Sequence, residues 1–200
     1  MIDRYFIVLE GIDGSGKTTQ AFKLEKWLKK RGVKVYTTRE PTDGIIGGII
    51  RAALSTKLRI SQRTLQILFA ADRSEHVREI EVRMSHGYTV ISDRYILSSI
   101  AYGMTELDMK WLYTMNSVFP KPDITIILDL PADLALRRVG PRFTKSLFEK
   151  KELLEEVRNN FLRLHETYSE AFNTVVVDAG KSEDEVHKSI TTIIEEKLLK

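Results

Sequence analysis

Five short apolar runs, at residues 5–10, 34–39, 89–92, 124–130 and 175–179, alternate with longer stretches whose apolar positions return every three or four residues. Near-continuous apolar runs of this length predict strands buried on both faces, and the longer period predicts helices that cover them. Residues 18–30 place Ala21, Leu24 and Leu28 on one helical face, and Gly32 then admits the second strand. Further helices are expected over 45–54, 61–86, 97–102, 107–119 and 134–139, with the 61–86 segment broken or bent. Pro120-Lys121-Pro122-Asp123 and Gly140-Pro141 punctuate the pattern. A long helix is expected to end near residue 172, and Ser182 with Glu185 forms a capping box for a closing helix whose core face is Val186, Ile190, Ile193 and Ile194. Alternation of this kind predicts a parallel sheet with helices on both sides, in one domain spanning 1–200.

The first strand runs directly into Gly11-Ile12-Asp13-Gly14-Ser15-Gly16-Lys17-Thr18 and then into a helix. Each residue type has a task at that spacing. Gly11 and Gly16 let the backbone turn and bring its N–H groups against phosphate oxygens, with Gly14, Ser15 and Thr19 completing the cradle. Lys17 supplies a positive charge to the outer phosphates, and the Thr18 hydroxyl is placed to reach a magnesium ion. The helix N-terminus points its positive dipole end at the same anion. A nucleoside triphosphate is the implied ligand.

A chain of 200 residues, 42 % hydrophobic and 30 % charged, is large enough for a sizeable core beneath a soluble surface. Cysteine is absent, which excludes a disulfide scaffold and thiolate metal sites. The four histidines lack metal-ligand spacing. No apolar run approaches a signal-peptide core or a membrane span, so a cytoplasmic protein with no membrane partner is expected. The net charge of +3 is distributed among interleaved acids and bases, which argues for solvated helix faces and against a nucleic-acid partner.

Ligands on parallel sheets sit beyond the carboxyl ends of the strands. Arg39-Glu40-Pro41, Asp93-Arg94-Tyr95 and Asp129 all occupy such positions and are expected to gather near the phosphate loop. Asp93 is the candidate to hold magnesium's water shell, and Arg94 offers a planar fork for a second phosphate. The alternative is an ordinary Asp-Arg ion pair after a strand.

Four separated motifs together resemble the thymidylate kinases, a family of P-loop nucleoside monophosphate kinases. They are the loop from Gly11 to Thr19; Thr38-Arg39-Glu40-Pro41 with Ile50-Arg51; Leu68-Phe69-Ala70-Ala71-Asp72-Arg73 with His76; and Asp93-Arg94-Tyr95 with Ser98, Ala101 and Tyr102. The resemblance implies a three-layer α/β/α P-loop NTPase fold with a mainly five-stranded parallel sheet, a homodimer, and transfer of the γ-phosphoryl group of ATP to dTMP with Mg²⁺. It assigns Asp13 to the sugar 3′-hydroxyl, Phe69 to stacking on thymine, Arg73 to the base O4, and Tyr102 to crowding the 2′ position. Ser98 lies near the base, and Arg39 and Arg94 clamp the acceptor phosphate. Core packing is the competing role for Phe69, a half-buried helix position for Tyr102, and a salt bridge for Arg73. His76 is expected at a helix surface or cap.

Some members of this family carry an arginine inside the phosphate loop, where this chain has Gly14, and others supply that cation from a mobile lid. This chain resembles the second kind, with a lid over 139–150, Arg142 on the transferred phosphoryl and Arg138 against adenine; Arg137 is an alternative. Gly103 stands where bacterial members commonly have glutamine. Two rival readings are poorly supported: the guanine-binding and switch signatures of a P-loop GTPase are missing, and a non-enzymatic nucleic-acid-binding domain leaves the cradle idle. A kinase of the same fold acting on a deoxynucleoside or another monophosphate is the nearer alternative, with Asp13 or Glu10 as the only phosphate-loop candidates for the carboxylate base a deoxynucleoside would need.

Overall fold

The computed structural model describes residues 4–55, 60–139 and 147–198. Strands β1 (Phe6–Glu10), β2 (Val35–Arg39), β3 (Thr89–Asp93), β4 (Ile124–Asp129) and β5 (Thr174–Asp178) form one all-parallel sheet in the order β2-β3-β1-β4-β5. Burial follows position in the sheet. The inner strands β1, β3 and β4 are almost wholly enclosed, whereas the edge strands β2 and β5 have partly exposed residues. Their apolar runs are continuous because both faces are covered.

Helices α1 (Lys17–Lys29) and α8 (Glu183–Leu198) pack together against one face of the sheet. The other carries α3 (Gln62–Ser85), α4 (Ile96–Gly103), α5 (Met109–Asn116) and α7 (Leu147–Phe172), with α2 (Ile45–Ser55) against α3 and α6 (Ala132–Val139) against α7. Each enclosed Ile, Leu or Val of the central strands contributes roughly 1.5–3 kcal/mol relative to exposure.

The expected strands and helices are present, with three adjustments. First, α3 runs unbroken, since it contains neither Gly nor Pro, and Ser61 caps it by accepting from the Thr64 N–H at 3.1 Å. The break falls instead in α7, at Tyr168 (φ −131°, ψ 23°), where that ring stacks on Tyr113 at 5.0 Å. Second, the 107–119 helix is shorter, because Asp108 caps α5 by accepting from the Trp111 N–H at 2.9 Å. Third, the Asp129 carboxylate is taken by Arg158 of α7 at 2.6 and 3.0 Å, so this strand-end acid serves packing and not the phosphate loop. The capping box on α8 forms as read, Ser182 N donating to Glu185 Oε2 at 3.0 Å and Glu185 N to Ser182 Oγ at 3.4 Å.

Strand register decides what meets at the carboxyl edge. Asp93 pairs with Leu9 on one side and Arg39 on the other, which sets β1, β2 and β3 level where the phosphate loop leaves the sheet.

Candidate functional site

The phosphate loop is held open by its backbone. Gly11 adopts φ 137°, and a Cβ there would lie 2.7 Å from the Leu128 carbonyl oxygen; Gly16 adopts φ 94° as the N-cap of α1. Neither conformation suits a side chain. No side chain caps α1, which leaves its first N–H groups facing the loop. Lys17 Nζ reaches back to donate to the carbonyls of Gly11 (3.0 Å) and Ile12 (2.8 Å).

Burial and the nearby Arg94 charge push the Lys17 ammonium down to about 7, against the pull of Asp93, Asp13 and Glu10. Burial disfavours the charged form of this group, and a phosphate placed beside it would favour that form again.

Thr18 Oγ1 donates to Asp93 Oδ2 at 2.5 Å. A hydroxyl and a carboxylate side by side are hard oxygen donors that suit Mg²⁺, and among the described residues no cluster of three or more acidic, His or Cys groups could hold a metal alone. Two protein oxygens fit an ion that takes most of its shell from water and phosphate.

Arg94 sits at φ 73°, a left-handed backbone that costs about 1–3 kcal/mol for a non-glycine residue. Its side chain is correspondingly well tied. It pairs with Asp13, donates to Ser98 Oγ at 2.9 Å and to the Gly11 carbonyl at 3.3 Å, and lies 5.2 Å from the Tyr102 ring centroid. The Tyr102 hydroxyl in turn accepts from the Asp13 N–H at 3.3 Å. Asp13, Gly14, Gly16, Lys17, Thr18, Thr19, Asp93, Arg94 and Arg138 line one cleft of about 380 Å³. A neighbouring cavity of about 550 Å³, between α1, β2 and α3, shares Thr18 and Asp93 with it and includes Arg39.

Glu10 is fully enclosed. It accepts from the N–H groups of Tyr95 (2.9 Å) and Ser98 (3.1 Å) and from Ser98 Oγ (2.5 Å), capping the start of α4. Burial pushes its carboxyl up, opposed by Ser98 and Arg94. Fully engaged and inaccessible, Glu10 is no candidate base for a hydroxyl acceptor, which removes part of the deoxynucleoside reading.

Along α3, Phe69 is half-buried and lies outside the main hydrophobic cluster of the described residues. Arg73 is enclosed. Its guanidinium holds Glu40 and donates to Ser99 Oγ (2.9 Å) and the Tyr95 carbonyl (3.0 Å), with Asn116 at Nη1. The salt bridge weighed for Arg73 exists, but its partner comes from the end of β2 and not from α3.

His76 differs from its expected surface place. It is buried, with Nδ1 3.0 Å from Glu40 Oε1 and Nε2 2.8 Å from Thr38 Oγ1. A carboxylate only accepts, so Nδ1 carries the hydrogen. Glu40 and His76 both stand in the sequence motifs, but their pairing with each other and with Arg73 was not legible there; the Glu-Pro after β2 was the available signal.

Other residues stand apart. Arg39 is exposed and pairs with Asp43 at 2.7 Å. Arg138 donates to the Ala179 carbonyl at 3.0 Å while lining the cleft. Arg142 and most of the expected lid lie outside the described residues.

Comparison with known proteins follows the same lines. A family model described as thymidylate kinase matches residues 9–190. A probable thymidylate kinase of Pyrococcus horikoshii is 44 % identical over 98 % of this chain and 98 % of its own. Others, from Methanosphaera stadtmanae and Methanocaldococcus jannaschii, are 46 % and 42 % identical, covering 92 % and 95 % of this chain and 94 % and 95 % of theirs.

Proposed function

The chain belongs to the thymidylate kinase family, and from that premise we propose how its residues pass a phosphoryl group from ATP to dTMP. The protein is a phosphotransferase that phosphorylates dTMP at the expense of ATP. The observation that carries the residue assignment is the chain of contacts beside one cleft, in which Lys17 and Arg94 share the Gly11 carbonyl, Arg94 pairs with Asp13 and the Asp13 N–H donates to Tyr102, with Thr18 and Asp93 also lining the cleft.

Gly11, Gly14, Ser15, Gly16, Thr18 and Thr19 cradle the donor phosphates, and Lys17 leaves the Gly11 and Ile12 carbonyls to meet them. Thr18 and Asp93 hold Mg²⁺, which neutralises phosphate charge when bound. Phe69 stacks on thymine and Arg73 faces its O4, while Asp13 accepts from the 3′-hydroxyl. Arg94 stands between the two halves and, with Arg39 released from Asp43, clamps the acceptor phosphate. Ser98 steadies Arg94. Arg138 lies against adenine, and Arg142 of a 139–150 lid supplies the remaining cation.

No general base is needed. The acceptor oxygen belongs to a phosphate monoester whose second pKa is about 6, so it is ionised at neutral pH. Catalysis then reduces to alignment and charge neutralisation.

We further propose a homodimer built on α2 and α3, where Ile45, Ile49 and Ile67 are exposed. Among the described residues no helix is long and apolar enough to cross a membrane, and a cytoplasmic location and a single working domain belong to the same proposal. The decisive experiment is a coupled assay with ATP and Mg²⁺ across the nucleoside monophosphates and thymidine. Preference for dTMP is expected; rapid use of thymidine with slow use of dTMP would reject the reading.

A further inference from the structure

Gln66 is one of the most enclosed polar side chains of α3, at 1 % exposure, and its Oε1 has no hydrogen-bond partner among the described residues. A buried carboxamide oxygen without a donor costs stability, and such an atom calls for a reason. Its position supplies one. At about 100° per residue, Gln66, Phe69 and Arg73 fall on one stripe of α3, with Gln66 and Arg73 nearly eclipsed two turns apart.

The far end of Gln66 lies against α4. A Cβ built on Gly103 would come 3.3 Å from Gln66 Cδ and 2.7 Å from Leu112 Cδ2, so glycine at 103 leaves the room that the Gln66 amide uses. One turn back, Gln62 Nε2 donates to the Tyr102 carbonyl at 3.4 Å, which ties this stretch of α3 to the same end of α4. The carboxamide therefore lies at the Gly103 end of α4, next in sequence to Tyr102, on the same α3 stripe that carries Arg73 two turns on.

Complementarity narrows its partner. The pairing edge of thymine presents an acceptor at O4 and a donor at N3–H. Arg73 can only donate, and Phe69 offers neither function. Ser98 Oγ is occupied by Glu10 and Arg94, and Glu40 by Arg73 and His76. Among the described residues, Gln66 Oε1 is a buried acceptor on this stripe with no donor of its own. We propose that Gln66 is a specificity-determining residue that accepts the imide N3–H of the acceptor base. The proposal rests on the acceptor site described above. With Gln66 demanding a donor at position 3, cytosine, whose N3 is an acceptor, is refused.

The test compares dTMP with its N3-methyl analogue, which lacks the donor, in the wild-type enzyme and in Gln66→Ala and Gln66→Met. Wild type is expected to favour dTMP in kcat/KM by about tenfold to a hundredfold. In both variants the dTMP KM should rise and the preference should shrink to within about threefold, with the KM for ATP unchanged. An unchanged preference in a folded variant overturns the proposal. So does a wild-type enzyme that uses both nucleotides equally.

A measurement on the unaltered protein guards against misfolded variants. The imide proton of ¹⁵N3-labelled dTMP should exchange with water far more slowly in the complex than free; equal exchange overturns the proposal. Phe69→Ala separates the two levels of failure. If it raises the dTMP KM while the Gln66 variants do not, Gln66 alone is misassigned. If neither changes the KM, the acceptor site falls with it.

Discussion

Arg73 grips Glu40 from a different element, placing Nε 3.0 Å and Nη2 2.6 Å from the same oxygen, Oε2, with the two side chains 1 % and 3 % exposed. Because His76 takes the other oxygen of Glu40, one carboxylate joins the end of β2 to two turns of α3. Removing it strands a guanidinium in the interior. Glu40→Ala is expected to lower stability by about 3–5 kcal/mol, as breaking one side of an enclosed ion pair does. Chemical denaturation measures this, and a loss below about 1 kcal/mol would mean that water replaces the carboxylate.

Lys17→Ala separates function from stability. The ammonium is held at a cost by its own burial, so its loss should leave the thermal midpoint nearly unmoved despite the lost bonds to Gly11 and Ile12. Turnover should fall by roughly two orders of magnitude or more, the scale of losing one preorganised electrostatic contact. A variant with near-normal turnover would remove Lys17 from the reaction.

The same lysine makes a pH prediction. In the unliganded fold it titrates at about 7, against 10.5 when unperturbed. Below 7 both folded and unfolded chains carry the proton. Between about 7 and 10.5 the unfolded chain holds a proton the folded one lacks, so this group makes stability rise with pH across that window. Bound phosphate reverses the bias and favours the ammonium. ATP binding at pH 8 should then take up protons, seen as a dependence of the calorimetric heat on the buffer's ionisation enthalpy; heats independent of buffer would contradict it.

Tyr102 should discriminate by bulk. Its hydroxyl accepts from the Asp13 N–H and its ring lies beside Arg94, which holds the ring in place, and in the role assigned to it above that ring crowds the 2′ position. Tyr102→Ala is expected to narrow the gap between dTMP and UMP, whereas Tyr102→Phe keeps it, because the ring does the crowding. Steady-state kinetics on both nucleotides decides; a UMP rate equal to that of dTMP in the unaltered enzyme would already deny Tyr102 this role.

The phosphate loop was legible in the sequence because its chemistry is local: Gly11, Gly16, Lys17 and Thr18 act through fixed spacing along one turn. The strands were equally plain, since enclosure on both faces forces unbroken apolar runs. What spacing could not show was pairing across the fold. Glu40 meets Arg73 and His76 from 33 and 36 positions away, and Asp129 meets Arg158 from 29. Nothing in a stretch such as Asp72-Arg73-Ser74-Glu75-His76 says which side chain turns inward. His76 thus read as a surface residue, and Asp129 as a neighbour of the loop, until tertiary packing placed each.

One consequence concerns the order in which the molecule can become competent. The helix that presents Lys17 is fastened on its outer side by α8: Gln20 Nε2 donates to the Glu183 carbonyl at 2.9 Å, Lys23 pairs with Glu183 and Asp184, and Arg31 pairs with Glu195. Gln20 and Glu183 are 163 positions apart. During synthesis on the ribosome, the anion-binding turn is made early but lacks its backing until α8 has left the exit tunnel. A nascent chain stalled before Glu183 would therefore carry the whole nucleotide-binding motif and still bind nucleotide poorly.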